Sequence, residues 1–545
     1  VQVAAGKIGE EPNTAELNFE YSLTTQGRLS EVDQFKRIII KRGEQGQLVR
    51  MADVARVELG AQSYAWYSEL DRASAISMGI YQLPGSNALG VAQGITEALE
   101  ELSTRFPEGL EWSIPFDSTR YIQASIKEVV TSLVIAVILV IFSVYIFLQD
   151  FRTTIVPSVT IPVALIGTFA VMLITGQSIN NLTLFGLVLA IGIVVDDAIV
   201  VVENTMRIID TEGLPPKEAV SKAMGEVGGA IIATTLVLLA VFAPTLVMPG
   251  LTGRMYRPFA ITISVATVFS SINALTLSPA LCGMLLRPSS EAKPPGWFFR
   301  QFNKYFDKIS ASYGRAVSSL IRKAAFVMIL FAILVGVMIW GFGAMPGGFV
   351  PSEDEGYFFI NAQLPNASSL RRTTAVMDRA VEMTQQLDGV QNIIVIGGYS
   401  LLDSVQGPNY GAAIVSLVPW DQREKTVFEL IREISRPLFT VREGSLFAFG
   451  PPPIQGLGSG SGFQMELQDL GGLGLVQLET FANDMVSEGF ASGKIVRLNQ
   501  NFRSNVPQIY VDVDREKTKR LNIPLKTIFD TLQTNLGSAY VNDFN

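Results

Sequence analysis

The sequence predicts an α-helical membrane bundle of six helices, with α+β soluble regions before and after it in the chain. Six apolar runs, each long enough to cross about 30 Å of hydrocarbon, are gathered between residues 126 and 345. The stretches 1–125 and 346–545 instead alternate short apolar runs with polar turns. Composition agrees with a chain that occupies both phases: 48% hydrophobic and 17% charged residues lie between a soluble enzyme and a pure membrane bundle. At 545 residues the chain is too long for one ordinary globular domain.

In the first soluble stretch, apolar runs at 38–40 and 76–81 are set between polar turns, and 88–105 has the spacing of an amphipathic helix. The character changes at Val129. The spanning runs are 129–148, 153–174, 182–202, 228–248, 258–286 and 324–344, the fifth long enough to continue past the membrane. Their connections are short except 203–227 and 287–323. Within the latter, WFFRQFNKYFDKISASY (297–313) places aromatic and apolar residues at helical spacing with Arg and Lys between them, the pattern of a helix lying on the membrane surface. Beyond 346 the pattern is strand 357–364, helix 368–386, strand 390–397, strand 411–418, helix 423–438 and strand 446–449, a ferredoxin-like unit. A second unit reads as strand 463–469, helix 473–490 and strand 494–500. The linker GPPPIQGLGSGSG (450–462) between them permits relative motion.

Loop charges orient the bundle. One side's loops carry Arg152, then Arg207, Lys217 and Lys222, then Arg287, Lys293, Arg300, Lys304, Lys308, Arg315, Arg322 and Lys323; the other side's short loops carry only Arg254 and Arg257. The rich side is expected to be cytoplasmic. Six crossings are an even number, so both soluble regions are expected on the outer side.

A net charge of −8 with no basic stripe argues against a nucleic-acid partner. A lone cysteine, Cys282, excludes a disulfide framework and a cysteine metal site, and the absence of histidine removes His ligands and His bases. The soluble parts carry no GxSxG, Walker, HExxH or CxxC motif, and the glycines at 456–462 do not open a helix after a strand. The chain starts on Val with no signal peptide and stops at YVNDFN (540–545), so both ends read as cuts in a longer protein.

Chemistry is concentrated in Asp196 and Asp197, inside LVLAIGIVVDDAIVVVEN (187–204). An ionised Asp at a helix centre costs about 2.5–3.5 kcal/mol on insertion scales. Two adjacent ones must face the bundle interior and find partners, or one must hold a proton. Neighbouring carboxylates repel, so the pair reads as a proton carrier in a chain lacking His. A salt-bridged pair that only ties helices together is the plainer alternative, but no Lys or Arg lies deep in the six runs. Glu203 and Asn204 follow at the helix end, and Glu203 reads as an interfacial charge. Gly186 and Gly192 read as close-packing positions. Tyr64, Trp66 and Tyr67 cluster beside a strand, and Phe358, Phe359, Phe463 and Met465 sit on predicted strands; ordinary core is the plainer reading of each. GGYSLL (397–402), followed by a polar loop to Asn409, suits a mobile apolar gate.

FGLVLAIGIVVDDAIVVVENTMR (185–207), GLPPKEA (213–219) and TLSPALCGMLLRP (276–288) closely resemble the resistance-nodulation-division transporters; FVPSEDEGYF (349–358) and GSAYVNDF (537–544) point to the multidrug, hydrophobe/amphiphile branch. The resemblance covers the whole chain. It implies a docking subdomain portion at 1–60, a porter subdomain at 61–125, the second to seventh membrane helices at 126–345, a ferredoxin-like porter subdomain at 346–462, part of another at 463–503, and the start of a second docking subdomain at 504–545. It implies an inner-membrane homotrimer with periplasmic porter domains that works with a periplasmic adaptor and an outer-membrane channel. Such a protein exports hydrophobic and amphiphilic drugs by proton antiport, with no cofactor beyond the proton motive force. Asp196 and Asp197 match the family's proton-translocating pair, whose usual Lys sits on a later helix. Pocket positions that carry over are Tyr64, Trp66 and Tyr67, then Phe359, Asn361, Gln363, Ile394, Ile396, Tyr399, Leu401 and Ile414. An entrance site would use Phe463, Met465, Leu467, Arg497 and Asn499. The family's gate loop has a GFGF-like run; here it reads GGYSLL and is longer.

An intramembrane aspartyl protease also needs two membrane Asp residues, but on separate helices that let them share a proton. A lipid, metal or protein exporter of the same family is nearer; a metal pump should show Met pairs, and Met is scattered here. A fragment that only binds or scaffolds is a third alternative.

Overall fold

The computed structural model describes residues 6–8, 19–23, 29, 31–61, 63–288, 296–345, 347, 350–454, 465–495 and 498–537. The chain divides into two units, Val1–Met78 with Gly356–Asn545, and Gly79–Glu355.

The first unit opens with short elements: β1 (Lys7–Ile8), β2 (Tyr21–Ser22), α1 (Val32–Lys36), β3 (Ile39–Arg42), β4 (Leu48–Arg50), α2 (Met51–Val54), β5 (Tyr67–Leu70) and β6 (Ala73–Ser74). The apolar run 76–81 forms no strand. The second unit holds α3 (Ala88–Ser103), α4 (Thr119–Leu148), α5 (Phe151–Ile174), α6 (Asn181–Glu212), α7 (Pro216–Val247), α8 (Gly250–Leu275), α9 (Leu277–Leu285), α10 (Trp297–Arg322) and α11 (Ala324–Ala344). The chain returns to the first unit with β7 (Tyr357–Gln363), α12 (Leu370–Gln385), β8 (Val390–Ser400), β9 (Val405–Leu417), α13 (Val427–Phe439), β10 (Ser445–Phe449), α14 (Leu475–Ala491), α15 (Arg515–Arg520) and α16 (Leu525–Leu536).

Among the described residues six helical stretches are long and apolar enough to cross a membrane: α4, α5, α6, α7, α8 continued by α9, and α11. The fifth breaks at Thr276, whose φ of −127° and ψ of −66° leave the helical region. Together with the α8–α9 stretch, α6 is the most enclosed of these six. Leu184, Leu187, Ile191, Val194, Ala198, Val201, Thr205 and Ile208 recur at three- and four-residue spacing and are all buried. Small residues set its distance to α8: a Cβ on Gly186 would lie 3.3 Å from the Phe259 carbonyl and from Thr262. Gly192 has no such role, because a Cβ there would meet nothing within 4 Å. α10 runs through Arg322, further than the aromatic pattern that ends at Tyr313, with no Pro between 314 and 322 to stop it.

The sheet of the first unit has the order β10-β7-β9-β8-β5-β6 with antiparallel neighbours throughout. β7, α12, β8, β9, α13 and β10 follow the sequence pattern closely. Ser369 and Thr426 cap the two helices by accepting from Arg372 N and Glu429 N. One sheet face presents Phe358, Ile360, Ala362, Ile393, Val395, Ala413, Val415, Leu446 and Ala448 to Met377, Ala380, Leu430 and Ile434 of the two helices. β5 and β6, about 320 residues earlier in sequence, extend the sheet at the β8 edge.

The segments read as strands at 463–469 and 494–500 form none where described. Residues 463–464 and 496–497 lie outside the described residues, and 465–469, 494–495 and 498–500 have no strand partner. The turn after them explains the first: Asp469 accepts from the backbone N–H of Gly471, Leu473 and Gly474, which folds the chain straight into α14.

The core of the helix-covered face is testable. Phe358 is fully buried, whereas Phe439 at the end of α13 is 89% exposed. Phe358→Ala is expected to cost about 3–5 kcal/mol and Phe439→Ala less than about 0.5 kcal/mol. Urea unfolding followed by tryptophan emission checks this; equal midpoints would contradict the assigned faces.

Candidate functional site

Asp196 and Asp197 are residues 16 and 17 of the 32 in α6, its midpoint. Asp197 is half-buried against α8, where the buried Ser270 hydroxyl lies 3.2 Å from Asp197 Oδ2 and 2.8 Å from the Val194 carbonyl oxygen. Asp196, about 100° round the helix, is exposed within this chain. The two carboxylates therefore sit in different surroundings. A hydroxyl both donates and accepts, so Ser270 suits either state of Asp197. It donates to the carboxylate, or accepts from the acid while its own proton goes to Val194. Sequence reasoning missed Ser270; its signal is a polar residue recurring with Thr262, Thr267 and Asn273 along one buried face of α8. Glu203 is exposed. Asn204 bridges instead, donating to Glu226 at 3.0 Å and accepting from Arg207 Nε at 2.9 Å.

In the sheet, strand periodicity collects the other candidates on the face away from α12 and α13. Phe449, Phe359, Ile414, Ile394 and Leu70 stand in one cross-strand row; Phe447, Asn361, Ala412, Ile396 and Ser68 stand in the next; Gln363 pairs with Tyr410 beyond them. Six candidates, Phe359, Asn361, Gln363, Ile394, Ile396 and Ile414, thus share one surface. Its β7–β10 side is aromatic: ring centroids lie 5.5 Å apart for Tyr357 and Phe359, 5.4 Å for Phe359 and Phe449, and 5.8 Å for Phe447 and Phe449. Phe447 and Phe449 were legible in SLFAF (445–449) as alternate residues of one strand.

Tyr67 is not with them. It pairs with Gly397 on the helix-covered face and packs against that core. Burial pushes its phenol up to about 12, so it stays neutral at ordinary pH. Tyr64 and Trp66, just before β5, are exposed. Met465, Leu467 and Asn499 are also exposed, and Phe463 and Arg497 lie outside the described residues.

The segment 397–409 is a β-hairpin, not an open loop. β8 runs to Ser400, residues 401–404 turn, and β9 starts at Val405. Gly397 and Gly398 serve close approach there. A Cβ on Gly397 would strike the Tyr67 ring, and Gly398, at φ 88°, occupies a register shift against Ala65 and Trp66. Tyr399 and Leu401 are half-buried. Ser400, two strands from Asn361, reaches its Oδ1 at 3.2 Å, so the hairpin end curls over the aromatic-bearing face. The Ser400 hydroxyl is also 3.0 Å from Asp403 Oδ2, and Asn501 Nδ2 donates to Asp403 Oδ1 at 3.2 Å. This polar clasp links the hairpin to the chain just after Asn499.

The sequence model of the AcrB/AcrD/AcrF family matches residues 1–545. The chain is similar to the multidrug resistance protein MdtF of Escherichia coli K12, 38% identical over 550 residues, and to the multidrug export protein AcrF of the same strain, 38% identical over 553 residues. Each alignment covers 100% of this chain and 53% of the relative. The toluene efflux pump membrane transporter TtgB of Pseudomonas putida is 37% identical over 551 residues, covering 100% of this chain and 52% of its own. The chain spans about half the length of these curated relatives.

The clasp yields a measurable expectation. Ser400→Ala removes the donor that lies between Asn361 and Asp403, a loss of about 1–3 kcal/mol confined to the hairpin. Amides of Tyr399 and Gln406 should exchange with deuterium roughly tenfold faster or more, with those of Ile360 and Val415 unchanged. Uniform exchange across the sheet would show that the clasp does not hold the hairpin.

Proposed function

The chain belongs to the AcrB/AcrD/AcrF family of resistance-nodulation-division transporters, and from that premise we propose that it is the central portion of a proton-driven exporter of hydrophobic and amphiphilic compounds. The observation that carries the reading is the Asp196–Asp197 pair at the midpoint of α6, one of the two most enclosed membrane helices, in a chain with no histidine. A transport cycle must bind a proton in one conformation and release it in another. Asp197 supports this because its surroundings include Ser270 on a second helix, so a shift of α8 against α6 changes what the carboxylate meets. Asp196 is exposed on a membrane helix, and a carboxylate there cannot be left to lipid. On this reading the other half of a full-length protein covers it and supplies the cation. Each proton moved through 100 mV contributes about 2.3 kcal/mol, and the proton motive force stands in place of any cofactor.

The strand order β10-β7-β9-β8, with α12 and α13 on one face, supports a ferredoxin-like porter subdomain. Its aromatic-bearing face is read as a wall of the substrate pocket. Apolar and aromatic groups with few polar ones, Asn361 and Gln363 here, suit varied amphiphilic ligands. The reading further places the protein in the inner membrane as a homotrimer, with both flanking regions in the periplasm, meeting an adaptor and an outer-membrane channel. The loop-charge asymmetry supports that orientation.

Asp196→Asn or Asp197→Asn in the full-length protein is expected to abolish drug efflux while assembly and drug binding persist, because Asn keeps the shape but cannot ionise. Resistance restored by either variant at normal expression would refute the proton-carrier role. Cysteines at the exposed positions Ser352 and Ser221 should label oppositely with an impermeant reagent in intact cells. Labelling of Ser221→Cys from outside would reverse the orientation.

A further inference from the structure

α10 bears Arg300, Lys304 and Lys308 in its first half and Arg315 and Arg322 in its second, with Lys323 ending it. Its aromatic side is fixed to the end of α4. Gln149 Nε2 donates to Asn303 Oδ1 at 2.5 Å, and the Phe147 ring meets Phe302 and Phe306 edge-on at 5.7 and 5.9 Å. α11 starts at Ala324, immediately after Lys323, and is apolar from its first residue. The last turns of α10 therefore stand where a membrane span begins, at headgroup depth.

Leading to that elbow, Ala311, Gly314, Arg315, Ser318, Ser319, Arg322 and Lys323 line a shallow, open groove along one face of α10. Arg315, Ser318, Ser319 and Arg322 are three, four and seven residues apart and share one helix face. At Gly314 the groove borders open space, since a Cβ there would meet nothing within 4 Å. No Asp or Glu occurs from Lys308 through the end of α11. Arg315 touches only its own helix, through the Ala311 carbonyl at 3.4 Å and Ser312 Oγ at 3.2 Å, and among the described residues neither Arg322 nor Lys323 has an ion-pair partner. Three cations within about 12 Å of one helix repel unless an anion joins them. Guanidinium forks and hydroxyls match the tetrahedral oxygens of a phosphate. We infer that the α10–α11 elbow binds the phosphodiester of an anionic phospholipid, the phosphate source available at headgroup depth, through Arg315, Arg322 and Lys323, with Ser318 and Ser319 as further donors.

The full chain is placed in nanodiscs of phosphatidylcholine with phosphatidylglycerol, extracted in mild detergent, and its retained lipid counted by native mass spectrometry. Phosphatidylglycerol should be retained in preference to phosphatidylcholine. Arg315→Gln with Arg322→Gln and Lys323→Gln should cut that retention roughly a hundredfold, since each charge acts near the headgroup plane. The same charge loss at Arg300→Gln, Lys304→Gln and Lys308→Gln should leave it within about twofold, because those residues lie outside the groove. Arg315→Lys with Arg322→Lys should keep the lipid. If the elbow triple does not fold, the single Arg322→Gln at the helix end carries the test with a loss of about fivefold. Equal losses in both triples would mean a diffuse field and no site. Unchanged retention in the elbow variants, or displacement of the lipid by millimolar inorganic phosphate, would equally overturn the proposal.

Discussion

Two carboxylates at the middle of a membrane helix stay there only if other helices shield them, and the packing around α6 follows from that constraint. Hydrocarbon offers no water to an ionised group, so the side of α6 that carries a carboxylate needs cover. Within this chain the buried residues from Leu184 to Ile209 recur at three- and four-residue spacing and cover the side of Asp197, while Asp196 stays exposed on the other. Closeness to α8 is then required for Asp197 to reach a polar partner. Small residues allow it, with Gly186 against Phe259 and Thr262 and buried Ala190 and Ala266 further along. Ser270 stands where that contact meets the pair.

The sheet of the first unit obeys a different constraint, the strict alternation of side chains along a strand. One set of alternate residues makes the core under α12 and α13, so the other set is free to carry aromatics and amides. Phe359, Asn361 and Gln363 on one strand, and Phe447 and Phe449 on its neighbour, are that second set. The same alternation separates Tyr67 from Ser68 and Leu70, which pair across to the opposite face. An aromatic cluster read along the chain is therefore divided in space.

Gly397 and Gly398 show how one dipeptide supports two readings. In sequence, adjacent glycines before an aromatic resemble a hinge. In the fold, the first makes room for the Tyr67 ring and the second takes a positive φ at a register shift. Their smallness is used for contact with a strand about 330 residues earlier, a partner that no local pattern names.

Much of this molecule was written in local pattern. The six spans, a helix beginning at Trp297 and the β7-to-β10 succession follow from runs of apolar residues at periods of two or 3.6, because a segment's own burial pattern fixes its type. The Asp pair was equally plain, since charge is rare in hydrocarbon wherever the helix packs. The family resemblance, carried by contiguous motifs, held over all 545 residues. Tertiary structure alone decided what depends on a distant partner. It joined β5 to β8, set Ser270 beside Asp197, curled Ser400 over to Asn361, and denied a strand to 465–469, where Asp469 instead captures the backbone of the next turn. Hydrogen bonds and close contacts between residues far apart in the chain leave no periodic trace, so they become visible only once the packing brings those residues together.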